Sequence, residues 1–409
     1  MDIKIQTNIV NLLCILLFSR TLTMHVARSL QQIQPSYIRE ILTAAKSPDV
    51  ISLAGGLPCS EHFPMNLMTK SIQRLSNLPA AFQYNETQGY PPLLDYIKSK
   101  YALPEQHQAL ICTGSQQALD LIARSFINQN DKIVVEAPSY LGALQVFALA
   151  QANILSVEQT NEGPNLNQLA QTFAQHKVKM FYAVPDFHNP TGVCWSLACR
   201  KHVAELCIKY SVTLIEDAPY RPLRFSGDPL PMVSTFCPDN ALVLRSFSKI
   251  AAPGMRLGVV TGPSKWVTHL IKIKQASDLH SSIPMQVVLL DLLQNIGFTE
   301  HLSNIRALYK SRYQCLSDNL KQGLPTDYRL NSVQGGMFIW LRLPTTHADK
   351  INVNDIAKKA LESKVAVVPS SVFYLKEQTA QPALRLNFSH THLDKLHVAT
   401  KRLIKVLKG

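Results

Sequence analysis

The sequence predicts an α/β fold in which a mostly parallel sheet is wrapped by helices and followed by a smaller α+β unit. Three observations lead there. From Leu110 onward, short β-branched and apolar runs alternate with helical patterns, the signature of strands joined by crossover helices. Three polar motifs follow apolar runs, at the strand ends where open α/β sheets hold their ligands. Past about residue 290 the pattern changes to long helices and then to a second strand-rich stretch.

Taken in order, strands are expected at 132–136, 154–157, 180–184, 212–216, 241–245 and 257–261. Between them, 115–126 reads as a helix because Ala118, Leu121, Ile122 and Phe126 fall at helical spacing. A second helix is read at 197–210, with Val203, Leu206 and Cys207 inward. The later unit has strands at 337–341, 365–368 and 384–388, and the segment carrying GGLP (55–58) is expected to fold with it. A chain of 409 residues, 46% of them hydrophobic, can bury more than one domain's core. The expected division is an N-terminal extension 1–23, a segment 24–66 packing with the small domain, a large domain 67–295 and a small domain 296–409.

The net charge of +13 suits nucleic acid, an acidic membrane surface or small anions, and does not choose among them. Lys395, Lys401, Arg402, Lys405 and Lys408 are spaced as the solvated face of a final helix, so no nucleic-acid partner is expected. Among the eight cysteines, Cys194, Cys199 and Cys207 are the closest group, but their intervals lack the paired spacing of a zinc knuckle. No metal is expected, and reduced thiols suit a cytoplasmic protein. The apolar stretch IVNLLCILLF (9–18) is shorter than the roughly 20 residues needed to cross a membrane. Asp2 offsets Lys4, and no small-residue cleavage site follows before Arg28, so neither a membrane span nor secretion is expected.

The three motifs are HNPTG (188–192), EDAPY (216–220) and SFSK (246–249), the last followed by Arg256. A carboxylate at the buried end of a strand, as Asp217 is expected to be, is costly unless it meets a cation or strong donor. A protonated pyridine nitrogen would serve, and so would a helix cap. Lys249 lies among Ser246, Ser248 and Arg256, where positive neighbours disfavour the ammonium form and leave an amine able to attack an aldehyde. The serines and Arg256 suit a phosphate dianion. TGSQQAL (113–119) opens a helix on a glycine turn, which aims backbone N–H groups of Ser115 and Gln116 at an anion or simply caps the helix.

Across roughly 36–407 the chain resembles the fold type I pyridoxal-phosphate (PLP) aminotransferases, most closely the branch of 2-aminoadipate and kynurenine aminotransferases. The segments that carry the resemblance are PSYIREI, ISLAGGLP, YNETQGYPPLLDYI, TGSQQALDL, EAPSYLGALQVF, PDFHNPTG, IEDAPYRPLRF, RSFSKIAAPGMRLG, GGMFIWLRLP and LRLNFS. It implies a seven-stranded, mostly parallel large-domain sheet, and PLP held by Lys249 as a Schiff base with Asp217 at the pyridine nitrogen. Asn189 and Tyr220 would bond the phenolic oxygen, Tyr140 would stack on the ring, and Ser115, Gln116, Ser246, Ser248 and Arg256 would hold the phosphate. Tyr84 would reach the phosphate of a neighbouring subunit, implying a homodimer. Arg385 would clamp the substrate α-carboxylate, while Arg39 and Gly56 belong to a segment that closes over the substrate, where Arg39 would meet a side-chain carboxylate.

The activity implied is transfer of an amino group from an amino acid to a 2-oxo acid such as 2-oxoglutarate by a ping-pong mechanism. A PLP lyase or decarboxylase on the same fold would share Lys249 and Asp217, but Arg385 and the branch likeness count against it. A non-catalytic sensing domain of the MocR type would bring a helix-turn-helix domain, and no such patterning is read before Gly55. Two departures from the family stand out. Ser370 and Ser371 replace frequent glycines beside the substrate, where they are expected to narrow the site, and His188 stands where glutamine or another polar residue is common and is read as tolerated variation rather than a new catalytic base.

Overall fold

In the computed structural model, residues 26–31, 41, 43, 47–344, 352–375 and 381–409 are described. Pro35–Gly409 forms one unit; Met1–Gln34 forms another, of which the short helix Arg28–Gln31 is described.

The strands are β1 (Ile51–Ser52), β2 (His107–Cys112), β3 (Lys132–Ala137), β4 (Asn153–Thr160), β5 (Gly163–Pro164), β6 (Val178–Ala183), β7 (Thr213–Asp217), β8 (Ala241–Ser246) and β9 (Gly258–Pro263). All but β1 form one sheet in the order β2-β9-β8-β7-β6-β3-β4-β5. The run from β8 to β4 is parallel. Its strands β3, β6, β7 and β8 are buried along most of their length, as expected where helices cover both faces of a sheet. The helix Ser115–Phe126 has the bounds read from its spacing, and Leu197–Lys209 ends one residue early. Because β6, β7 and β8 run the same way, their C-terminal ends bring HNPTG, EDAPY and SFSK to one edge of the sheet.

The sheet departs from expectation at one edge. It has eight strands rather than seven, because the dipeptide β5 pairs antiparallel to β4. The antiparallel part allowed by a mostly parallel sheet includes β9, which runs antiparallel to both β8 and β2. The stretch 247–257 holds only the 3-10 turn Pro253–Met255, too little chain for the crossover helix that a parallel neighbour needs.

A smaller C-terminal domain contains β10 (Arg329–Leu330), β11 (Phe338–Arg342), β12 (Val365–Ala366), β13 (Val368–Pro369) and β14 (Ala383–Asn387). β10, β11, β14 and β13 make an antiparallel sheet in that order, and β1 pairs parallel to β12. The single strand expected at 365–368 is thus two, belonging to different sheets. The Leu53 N–H donates to the Ala366 carbonyl at 2.8 Å and the Asn387 N–H to the Leu53 carbonyl at 2.7 Å, which stitches GGLP to this domain. The last helix, Leu393–Lys408, buries Leu396, Ala399 and Leu403 and exposes Lys395, Lys401, Lys405 and Lys408.

Behind HNPTG lies a buried charge cluster. Asp186 accepts from Arg200 at 2.9 Å and Arg221 at 2.9 Å, with Arg224 at 3.6 Å. Burial pushes the Asp186 pKa up, but Arg200 and Arg221 outweigh it and hold the carboxyl below its ordinary value. Removing one partner of a buried pair leaves an uncompensated charge. Arg200→Ala is therefore expected to lower stability to denaturant by about 3 kcal/mol, the low end for such pairs because Arg221 and Arg224 remain. An unfolding midpoint unchanged at constant m-value would contradict this.

Candidate active site

Twelve of the residues singled out in the sequence line one cavity of about 530 Å³: Gly56, Ser115, Gln116, Tyr140, Asn189, Asp217, Tyr220, Ser246, Ser248, Lys249, Arg256 and Arg385. Asp217 ends β7, Ser246 ends β8, and Ser115 opens the helix that follows β2. Arg385 comes from β14 of the smaller domain and Gly56 from the segment stitched to it, so elements of both sheets line the cavity.

Asp217 is 3% exposed. Its Oδ2 accepts from the Tyr182 hydroxyl at 2.9 Å, while Oδ1 has no partner among the described residues. Burial pushes the carboxyl up to about 7 against the opposing hydrogen bond from Tyr182. Lys249 Nζ donates to the Gly56 carbonyl at 2.8 Å. Burial, aided by the charges of Arg385 and Arg256, lowers its pKa to about 8.

Arg385 donates from Nη1 to Asn189 Oδ1 at 2.8 Å and from Nη2 to the Ala54 carbonyl at 2.6 Å; its Nε has no partner among the described residues. Phe338 and Phe373 lie 4.4 and 5.0 Å from the guanidinium and fix its plane. Burial lowers its pKa only to about 10, so it stays charged at neutral pH. Asn189 Nδ2 donates to the Tyr220 hydroxyl at 3.4 Å.

At the other end of the cavity, Gly114 has φ +79, and a Cβ there would stand 2.8 Å from Arg256 Nη2. Glycine thus supplies both the turn and the room for Arg256, which donates to the Thr113 carbonyl at 3.0 Å. The Ser115 hydroxyl is buried with no partner among the described residues. Gln116 accepts from the Tyr140 hydroxyl at 3.1 Å and donates to the Gly142 carbonyl at 3.0 Å.

These residues fit PLP. A buried polar atom left unpaired costs about 1–3 kcal/mol. Ser115 Oγ and Asp217 Oδ1 are two such atoms on the cavity wall. One suits an anion at a helix N-terminus, the other a ring N–H.

Tyr84 is 78% exposed and does not line the cavity of its own chain. Arg39 lies outside the described residues. The Ser370 hydroxyl accepts from the Ala383 N–H at 3.2 Å, and that of Ser371 donates to Asn354 at 2.7 Å. Neither lines the cavity, so the narrowing expected from these hydroxyls is absent there: both are committed to local partners. His188 is buried behind the wall, bonded to Thr191 at 3.1 Å and 3.7 Å from Glu136. Thr191 donates to Gln159 at 2.6 Å, and Gln159 to Glu136 at 2.8 Å, closing a ring of buried polar groups beneath Asn189. Burial drives both titratable members toward neutrality, Glu136 up to about 8 and His188 down to about 3.

Sequence reasoning missed Tyr182, and it read the Gly114 turn without the room that turn leaves for Arg256. Tyr182 lies inside an apolar strand run, and only pairing it with β7 puts its hydroxyl beside Asp217.

The sequence matches the family described as aminotransferase class I and II over residues 48–403. It is 32% identical to the 2-aminoadipate transaminase of Thermus thermophilus, covering 92% of this chain and 95% of that one. It is 34% identical to aromatic-amino-acid aminotransferase 1 of Thermococcus litoralis, covering 91% of each. The fold superimposes with a TM-score of 0.86 on the crystal structure of the Thermus thermophilus alpha-aminoadipate aminotransferase complexed with N-(5'-phosphopyridoxyl)-L-leucine, at 32% identity over 94% of this chain and 97% of that one.

The lowered pKa of Lys249 has a kinetic consequence. In cofactor-free protein the neutral amine becomes abundant as pH rises through about 8. The rate at which added PLP develops visible absorption is expected to rise about tenfold per pH unit below that point and level off above it. A rate still climbing at the ordinary lysine pKa of 10.5 would contradict the depression.

Proposed function

The chain belongs to the class I and II aminotransferases, enzymes dependent on PLP, and we propose that it passes the amino group of an amino acid to a 2-oxo acid in ping-pong order. The donor is of the 2-aminoadipate-like, aromatic or broad range suggested by the relatives, and 2-oxoglutarate is an acceptor of matching chemistry. The observation that carries this reading is the convergence of Asp217, Lys249 and Arg385 on one cavity.

Bound PLP supplies an electron sink for the pair left when the α-carbon loses its proton. Asp217 keeps the ring nitrogen protonated through its unpaired Oδ1. Lys249 would hold the cofactor, and its amine, freed by substrate, would serve as the base and acid that moves the α-proton. Arg385 holds the α-carboxylate, which aims the α-hydrogen at Lys249. Asn189 and Tyr220 bond the phenolic oxygen, and Tyr140 covers the ring. Ser115, Gln116, Ser246, Ser248 and Arg256 hold the phosphate. Tyr84, exposed on its own chain, reaches the phosphate in a second copy, making the active unit a homodimer. Arg39 meets the side-chain carboxylate of dicarboxylic donors.

Mixed with amino acids and no oxo acid, the PLP-loaded protein is expected to lose its visible absorption, fastest with the preferred donor; a band that persists with every amino acid overturns the reading. Arg385→Ala is expected to slow this half-reaction by about 10²-fold or more in second-order rate, the worth of two charge-assisted hydrogen bonds. In the same panel Arg39→Ala is expected to slow dicarboxylic donors more than neutral ones, and equal losses would remove its role.

For the dimer, sedimentation is expected to give twice the chain mass, and Tyr84→Phe to weaken PLP binding about tenfold. A monomer with full PLP affinity would contradict the shared site.

A further inference from the structure

A second cavity, of about 500 Å³, opens between the GGLP segment and the start of the last helix. Its wall includes Cys59, Glu61 and His392, none of which lines the catalytic cavity. The 3-10 turn Ser60–His62 brings one ligand atom each of Cys59, Glu61 and His62 within 4.8 Å of one another. Cys59 Sγ stands 3.3 Å from His62 Nδ1. Tetrahedral zinc, with Zn–S about 2.3 Å and Zn–N about 2.0–2.1 Å, has an S···N edge of roughly 3.5 Å, so this pair is already near that spacing. From the other side of the cavity, His392 Nε2 lies 2.8 Å from Glu61 Oε2.

We propose that Cys59, Glu61 and His62, with a water completing four-coordination, form a binding site for a zinc-like divalent cation, and that His392 orients the Glu61 carboxylate from the other side. The donor set decides the class of ion: thiolate and imidazole select borderline-soft metals over magnesium and calcium. Cys59 is buried and Glu61 and His62 are exposed, so the thiol sits at the base and the ion enters from solvent. Binding replaces the Cys59 S–H bond by a sulfur–metal bond, and the proton leaves to solvent.

Cobalt(II), titrated into the PLP-loaded full chain in a thiol-free reductant, is the optical probe. The expected result is one ion per chain with sulfur-to-metal absorption and the intense ligand-field bands of four-coordination, displaced by zinc. Cys59→Ser is expected to abolish the sulfur-to-metal absorption, and His62→Ala to weaken zinc at least about tenfold. His62 is exposed, so its variant keeps the test open if replacing the buried Cys59 prevents folding. A wild-type protein without these bands, or bands and affinity that survive both substitutions, would overturn the assignment. Either outcome leaves the aminotransferase reading to its own half-reaction.

Discussion

Asp217 is a carboxylate at the end of a central strand, one oxygen bonded to Tyr182 and the other unmatched among the described residues. Burying a charge this way is costly unless a cation meets it, and in the protein by itself burial drives the group toward neutrality. Much of the surrounding architecture bears on that position. Parallel β6, β7 and β8 set Tyr182, Asp217 and Ser246 along one edge, and apolar residues on both sheet faces keep water from the carboxylate.

The rest of the cavity complements this one acid. Its described wall carries three cationic side chains, Lys249, Arg256 and Arg385, against the single carboxylate of Asp217. Such a surplus favours ligands that bring more than one negative group, as a cofactor phosphate and a substrate carboxylate do together. The cations also act on one another: beside burial, Arg385 and Arg256 help lower Lys249, which favours its neutral amine. Support comes from outside the wall. The ring of His188, Thr191, Gln159 and Glu136 and the cluster around Asp186 grip the loop that carries Asn189 from behind.

What the sequence made legible was local. HNPTG follows β6 within a few residues, and EDAPY and SFSK begin on the last residues of β7 and β8, so reading the strand placed the motif, and spacing sufficed for the helix Ser115–Phe126. Relations across long separations escaped it. The direction of β9 depends on how little chain joins it to β8, and the edge strand β5 is a Gly-Pro pair with no strand pattern. Tyr182 gains its partner only through pairing with β7, and the hydroxyls of Ser370 and Ser371 turn to neighbours from other elements. Cys59 and His392 are more than 300 positions apart in sequence, so no cysteine interval could have joined them.

The central proposal is that Asp217, the one carboxylate on the described cavity wall, holds the cofactor's ring nitrogen protonated. Nitrogen-15 NMR of the protein loaded with ring-labelled PLP reads that proton directly. The account predicts a protonated nitrogen in the wild type across neutral pH and an unprotonated one in Asp217→Asn, whose amide keeps the size of the side chain but not its charge. A nitrogen that is unprotonated in the wild type, or equally protonated in both proteins, would contradict it.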